Sequence, residues 1–453
     1  MKKLTIAFLL LQSIVAYTQT NPAITSWIIN TDGTTGSHYV SGNPTLIQDT
    51  DSANVQSVYY SSNWVYVKTK GVPAYPTGPF LDGNPSITTN QNAIFKFPLT
   101  PQQNTGTLTA TNMGNIGVFI NGVALFDYRD GVSWNNNTGA EGGGPIPGPP
   151  GQGIWNRDAV VAEREGFDCS KGHPAQGNYH HHQNPSAFNL DQIVLSDICN
   201  AYDAEGLYVI NPNEHSPLIG FAYDGYPIYG AYGYLNADGS GGITRIKSSY
   251  QLRNITERTH LADGTDVTDG PDVNATYPLG HYREDYEFVA HPGESDFLDE
   301  HNGRFCVTPE YPDGIYAYFC TVDENWNSAY PYAVGPTFYG TKVAAKVPTI
   351  SESVTAYNAT PNLVATDFLT SDELVVYPNP ASDIIAVQAN GLVRENIDVR
   401  LFDTSGKLIA QTSIIKGSTI AWFDASVLYN GNYLIEFSSK GKLLSTQTVI
   451  VSK

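Results

Sequence analysis

Apolar residues in this chain come in short β-branched and aromatic runs, repeatedly cut by Gly, Pro, Asn and Asp. Long amphipathic helical periodicity is scarce. A helix needs its apolar residues to recur every three to four positions over several turns, whereas a strand needs only brief alternation. The 42 Gly, 28 Pro and 29 Tyr of the 453 residues fit the same reading, with many turns and many side chains suited to a pleated surface. The expected fold is therefore mostly β: a large β-rich domain with long ordered loops, then a small C-terminal β-sandwich.

The start of the chain sets its compartment. Lys2 and Lys3 precede the apolar run from Leu4 to Ala16, and polar residues follow, which describes a secretory signal peptide over residues 1–19. The run is short of the roughly 20 residues a membrane span needs. No other stretch is long enough, so the exported chain is expected to have no transmembrane segment. The formal charge of −20, made more negative by loss of Lys2 and Lys3, argues against nucleic-acid partners, which need a basic footprint. The four cysteines, in an exported chain, favour disulfides. "FCVTPEYPDGIYAYFC" has a turn signal near its midpoint, so Cys306 is expected to face Cys320 across a hairpin, leaving Cys169 with Cys199. A thiolate metal site lacks the tight CxxC spacing usual for zinc.

Residues 22–345 read as one β-rich domain. Its first part, 22–140, is a strand region in which Asn121-Gly122 separates two apolar runs, a strong hairpin signal. "GAEGGGPIPGPPGQG" (139–153) reads as a surface loop without regular structure. Residues 154–345 hold every histidine except His38, and "DAVVAEREGFD" within them reads as a short helix. Residues 346–373 are polar and read as a linker. Residues 374–453 carry alternating strands with Asn, Gly and Ser turns, as a compact sandwich would.

The segment "GNYHHHQNP" (177–185) raises the chemical question. On a strand, alternation points His180 and His182 to one face, and Tyr179 and His181 to the other. Two imidazoles at i and i+2 can reach one metal ion, and zinc or copper suits imidazole best. Two ligands do not make a site. His173, on the preceding "GHP" turn, is the third candidate, and His301 and His281 lie farther off in sequence. Metal-free acid–base chemistry is the competing use of such groups, with Asp224 and Asp299 as candidate catalytic carboxylates. Asp299 or Asn302 also suits a turn-capping role, and Glu284 and Asp285 of "EDYE" read as a solvated turn. A third reading takes Tyr226, Tyr229, Tyr232, Tyr234, Trp155, Trp326, Tyr330 and Tyr332 as an aromatic groove for glycans or another amphipathic small molecule, with the histidines packed. No G-x-S-x-G or P-loop motif is present.

Two resemblances add to this. "VYPNPASD", "LFDTSGKL", "NGNYLIEF" and "STQTVIVSK" make the tail resemble the C-terminal sorting domain of the type IX secretion system of Bacteroidota. That resemblance implies passage through the periplasm, the type IX machinery as partner, and release or attachment at the outer-membrane surface. "GHPAQGNYHHHQNP", "SPLIGFAYDGYPIYGAYGY", "LDEHNGRF" and "PDGIYAYFCTVDENWNSAYPYAVG" make the central region resemble the YHYH-domain family. Both signature tetrapeptides depart from the family pattern. The first is Tyr179-His180-His181-His182, and the second, Tyr316-Ala317-Tyr318-Phe319, lacks both histidines. The motif "HSPLIGFAYDGYPIYG" adds His215 as a further ligand candidate and Asp224 as a pocket residue. His181, Tyr179, Tyr226, Tyr229, His301, Tyr316 and Tyr318 complete the expected pocket. The function expected is that of a secreted or cell-surface protein binding zinc or copper through a histidine cluster, with metal-dependent hydrolysis or redox chemistry at an open position. The alternative is a non-catalytic glycan-binding or structural module.

Overall fold

The computed structural model describes residues 20–83, 86–144, 146–185, 212–343, 346–358, 374–389, 396–404, 406–415, 420–439 and 442–453. The signal segment 1–19 and Cys199 lie outside them.

The apolar runs become strands, as their alternation requires, and the larger domain is organised around an eight-stranded sheet. Its strands are β1 (Asn115–Phe119), β2 (Ala124–Phe126), β3 (Gly172–Ala175), β4 (Asn178–His181), β5 (Leu218–Ala222), β6 (Pro227–Tyr229), β7 (Gly303–Cys306) and β8 (Ile315–Phe319). They lie in the order β3-β4-β2-β1-β5-β6-β8-β7. The hairpin read at Asn121-Gly122 joins β1 to β2: Gly122 takes φ +83 and its N–H donates to the Phe119 carbonyl at 2.7 Å. β4 joins β2 in parallel, and β8 joins β6 in parallel.

A four-stranded sheet, in the order Thr355–Tyr357, Val55–Tyr60, Trp64–Thr69 and Ala93–Pro98, shares a core with the first. Its inward residues Val58, Val67, Phe95 and Phe97 are buried in one cluster with Val118, Phe119, Phe221 and Tyr223. Trp27 bridges the two, its ring 5.7 Å from Phe97 and 5.4 Å from Phe221.

Two boundaries differ from the sequence reading. The Val347 N–H donates to the Ile94 carbonyl and Thr355–Tyr357 pairs with Val55–Tyr60, so the first part of the expected linker is an edge of the domain. Within the Gly/Pro loop, Ala140–Gly143 pairs with Arg129–Asn135, since backbone hydrogen bonds alone suffice to extend a ladder. The short helix is confirmed as Ala159–Ala162, N-capped by the Asp158 carboxylate on the Val160 N–H, followed by a 3-10 turn over Arg164–Gly166.

The Cys306–Cys320 disulfide is overturned: both are buried free thiols. β7 and β8 pair Cys306 with Ile315 and Gly303 with Tyr318. The turn is therefore closer to Cys306 than its Pro-Asp-Gly signal suggests. Cys320 lies five positions past Ile315, about 16 Å along the strand at roughly 3.3 Å per residue, where a disulfide needs Cα atoms within about 7 Å. Cys169 is disulfide-bonded.

The tail is a second β unit. A three-stranded sheet (Leu374–Tyr377, Ile384–Ala389, Ile420–Asp424) and a four-stranded sheet (Leu408–Ile414, Ile397–Asp403, Gly431–Ser439, Lys442–Val451) bury their own core, including Ile385, Val399, Leu401, Ile435 and Val449. Among the described residues, no helix is long and apolar enough to cross a membrane.

Candidate metal centre

The β3–β4 hairpin assembles the site. Its register sets His173 opposite His180, so the two rings share a face. His182 lies two positions beyond His180, and alternation returns it to that face. The His180 and His182 ring centroids are 4.8 Å apart, and those of His173 and His180 are 4.6 Å apart. Apolar rings fix this placement: Phe126 stacks on His180 at 3.8 Å, and Phe167 meets His173 edge-on at 5.0 Å. All three histidines are buried.

Hydrogen bonding fixes which nitrogens point inward. His180 Nδ1 lies 2.8 Å from the Asn178 carbonyl oxygen, and His182 Nδ1 lies 2.5 Å from that of Asp127. A carbonyl can only accept, so each Nδ1 carries a proton and donates. In the neutral rings, Nε2 then offers its lone pair to the interior. His180 Nε2 is 3.1 Å from His182 Nε2, which is 3.4 Å from His173 Nε2. The three ligand atoms lie within 4.8 Å of one another.

A fourth donor was not found in the sequence. Glu163 caps the C-terminus of the short helix, and its Oε2 lies 3.2 Å from Nε2 of both His173 and His182. That oxygen is buried, yet among the described residues it makes no hydrogen bond of acceptable geometry. The three histidine nitrogens therefore cluster, and the Glu163 carboxylate adjoins two of them. Around a tetrahedral zinc, ligand atoms about 2.0 Å from the ion lie roughly 3.3 Å from each other. The His180–His182, His182–His173, His173–Glu163 and His182–Glu163 separations of 3.1, 3.4, 3.2 and 3.2 Å are near that figure. The only available signal for Glu163 was a carboxylate ending a helix shortly before the GHP turn.

The electrostatics agree with the geometry. Burial, with the charges of His173 and His182, holds His180 well below the ordinary imidazole range, so it stays neutral. Burial also depresses His182, but the Glu163 carboxylate outweighs it and the net shift is upward. Glu163 is itself held low: burial raises it, and its interaction with the adjoining His173 and His182 more than reverses that. Without an ion, one shared proton can therefore hold the cluster together.

The remaining candidates fall elsewhere. His181 faces the other way, with Nε2 at 2.9 Å from the Tyr75 hydroxyl and Nδ1 donating to the Lys171 carbonyl, and burial pushes it down to about 3. Tyr179 is buried beside it and donates to Asp168. His215 is not brought to the cluster: its Nδ1 donates to the Ser216 carbonyl, and its ring packs on Tyr229, Tyr234 and Phe319. His301 bonds to Thr337, and His281 to Glu141. Asp224 is fully buried and accepts from the Tyr318 hydroxyl and from the N–H groups of Gly340 and Tyr226. Asp299 caps the turn containing Asn302, accepting from the His301 and Gly303 N–H groups and from the Tyr316 hydroxyl. Both carboxylates are thus engaged in holding turns.

Glu284 and Asp285 are not a solvated turn. Both are buried, and Asp285 pairs with the fully buried guanidinium of Arg258 at 2.7 Å. The aromatic groove is also corrected. Trp155, Tyr226, Tyr229, Tyr232, Tyr330 and Tyr332 are buried, because buried carboxylates and hydroxyls satisfy several of these phenols inside the fold: Tyr332 donates to Asp158, and Tyr229 bonds to Thr308.

Two family models match this organisation. The family model for YHYH proteins matches residues 94–331, just over half of the chain and all of the metal-centre candidates. The model of a secretion system C-terminal sorting domain matches residues 375–452. No curated protein matches. Among solved structures, a DUF3244 family protein with an immunoglobulin-like β-sandwich fold from Bacteroides vulgatus is 13% identical, with a TM-score of 0.15, over 18% of this chain and 84% of its own. The sorting domain implies interaction with the type IX secretion machinery and export to the cell surface or extracellular space. A family model matching more than half of the chain makes this a member of the YHYH protein family, exported under a C-terminal sorting domain.

Proposed function

We propose that the exported domain binds one divalent transition-metal ion, zinc or copper, through Nε2 of His173, His180 and His182 and the carboxylate of Glu163. One observation carries this reading. Nδ1 of His180 and of His182 is committed to a carbonyl, so both Nε2 atoms turn to one point, 3.1 Å apart in a buried site, where a proton or a metal ion must sit between them. Facing lone pairs repel unless a cation lies between them, and buried polar atoms without partners are costly. The carbonyl bonds also orient the rings, as outer-shell partners of metal-bound histidine do.

The test is metal content by elemental mass spectrometry on the full-length protein beside a His180→Ala/His182→Ala variant. Near-stoichiometric zinc or copper in the native protein, lost from the variant, is the expected result. A folded double variant that keeps its full metal content refutes the assignment.

A further inference from the structure

The two halves of the eight-stranded sheet repeat each other. β1 and β2 pair as Asn115↔Phe126, Gly117↔Leu125 and Val118↔Ala124, with an irregularity after the first pair. β5 and β6 pair as Leu218↔Tyr229, Gly220↔Ile228 and Phe221↔Pro227, with the irregularity at the same step. "IGVFING" and "IGFAYDG" end these hairpins alike: the Val123 N–H donates to the Asn121 side chain at 3.2 Å, and the Tyr226 N–H to that of Asp224 at 3.3 Å. The two hairpins meet reciprocally, with Ile120 N–H on the Ile219 carbonyl and Tyr223 N–H on that of Ile116, both at 2.9 Å. Such reciprocity is the mark of a two-fold relation.

The outer hairpins repeat as closely. In the first, Asp168 accepts from the N–H groups of Ser170 at 2.9 Å and Gly172 at 3.1 Å, and Lys171 takes φ +61. In the second, Asp299 accepts from those of His301 at 2.9 Å and Gly303 at 3.2 Å, and Asn302 takes φ +65. Tyr179 donates its hydroxyl across both oxygens of Asp168, and Tyr316 does the same to Asp299. Only glycine fits beneath each phenol: a Cβ at Gly172 or Gly303 would meet the tyrosine oxygen at 2.4 Å. The first tyrosine of each signature tetrapeptide is therefore half of an Asp–Tyr clamp that closes its hairpin. By register, Gly172↔His181 corresponds to Gly303↔Tyr318, which places Arg304, Ala317 and Phe319 where His173, His180 and His182 stand. The Arg304 guanidinium there donates to the carbonyls of Tyr234, Leu235 and Ser295.

We propose that the domain core is one unit present twice, and that the Tyr179–Asp168 clamp positions the metal ligands while the Tyr316–Asp299 clamp is its metal-free twin. The metal half of this rests on the metal-binding reading above; the clamp half does not. The twin supplies an internal control, because loss of either clamp should loosen its own hairpin, but only the first should reach the ion.

The experiment compares Tyr179→Phe and Asp168→Asn with Tyr316→Phe and Asp299→Asn in the full-length protein, by zinc affinity and by hydrogen exchange of the two hairpins. The first pair is expected to speed exchange over residues 172–181 and to weaken zinc roughly 10- to 100-fold, the usual effect of losing an outer-shell partner. The second pair should speed exchange over 303–318 and leave zinc affinity within about twofold. Tyr316→Phe weakening zinc as much as Tyr179→Phe would overturn the proposal. So would exchange that rises nowhere, or across the whole sheet, in either tyrosine variant. If the native protein takes up no zinc, the metal reading fails by itself, and hairpin-confined exchange still decides the clamps. Phe differs from Tyr by one hydroxyl, so these variants remain usable where an Asp replacement does not fold.

Discussion

Glu163→Gln separates the charge of the fourth donor from its shape. The amide keeps the volume and one carbonyl oxygen near Nε2 of His173 and His182, now 3.2 Å from the carboxylate. What disappears is a full negative charge beside the ion. At an effective dielectric near 20, a unit charge pair at about 3.2 Å, a lower bound for an ion lying nearer the carboxylate than the histidine nitrogens do, is worth roughly 5 kcal/mol. Replacing a shared proton by a dication adds one such unit. The Glu163 side chain is 23% exposed, so solvent screens part of it. Halving the figure leaves about 2.5 kcal/mol, or nearly two orders of magnitude in Kd at about 1.4 kcal/mol per decade. The assay is competition for zinc against a chelator of known affinity, with circular dichroism as the folding control. A change below about threefold in a folded variant would show that Glu163 stands outside the coordination sphere and that the dielectric argument fails here.

Two further outcomes follow from the structure. Thiol titration of the unreduced, denatured protein should count two free thiols, from Cys306 and Cys320; a count of zero would restore the hairpin disulfide. Burial pushes Asp224 up to about 6, and Asp158 and Asp168 up to about 7. A folded-state pKa above the unfolded value of about 3.9 means the native state binds protons more tightly, so stability is fully present below that pH and declines as pH rises through about 6 to 7. Denaturant midpoints measured with chelator should therefore fall between pH 5 and pH 8, less steeply in Asp224→Asn; midpoints that rise over that window would contradict the sign.

Strand periodicity made much of the site legible. The HxH alternation put His180 and His182 on one face, and the turn between the GHP and YHHH segments brought His173 opposite. Glu163 was illegible because it comes from a helix cap rather than from the hairpin, and nothing in a carboxylate's own neighbourhood reports which loop it will face. His215 was named through its motif, but that motif belongs to the second repeat, where Phe319 and Tyr229 surround it. The cysteine error has the same root. Turn residues mark that a hairpin exists, while its register depends on both strands' packing. The acidic pair Glu284 and Asp285 looked solvated because Arg258, which neutralises Asp285, is distant in sequence. Tyrosine was misread for a related reason: paired with buried Asp158, Asp168 and Asp224, it serves as a core residue rather than a surface platform.

The donor set also bears on what the ion could do. A catalytic zinc commonly keeps three protein ligands and leaves the fourth position to water, whereas a closed four-ligand shell serves structure or storage. With Glu163 in the fourth position, as proposed, substrate or water would reach the ion only by displacing its carboxylate. The side chains of His173 and His182 are 8% and 3% exposed, while that of Glu163 is 23% exposed, so of these three groups solvent reaches the glutamate most. Hydrolysis or oxygen chemistry would thus require the Glu163 carboxylate to swing out, and Glu163→Gln, which holds less tightly, would then lose metal affinity while gaining access. Binding without turnover needs no such motion. The carbonyl-fixed rings of His180 and His182, the Phe126 stack and the Asp168–Tyr179 clamp all act to hold the cluster still, which favours retention of an ion over exchange at an open position.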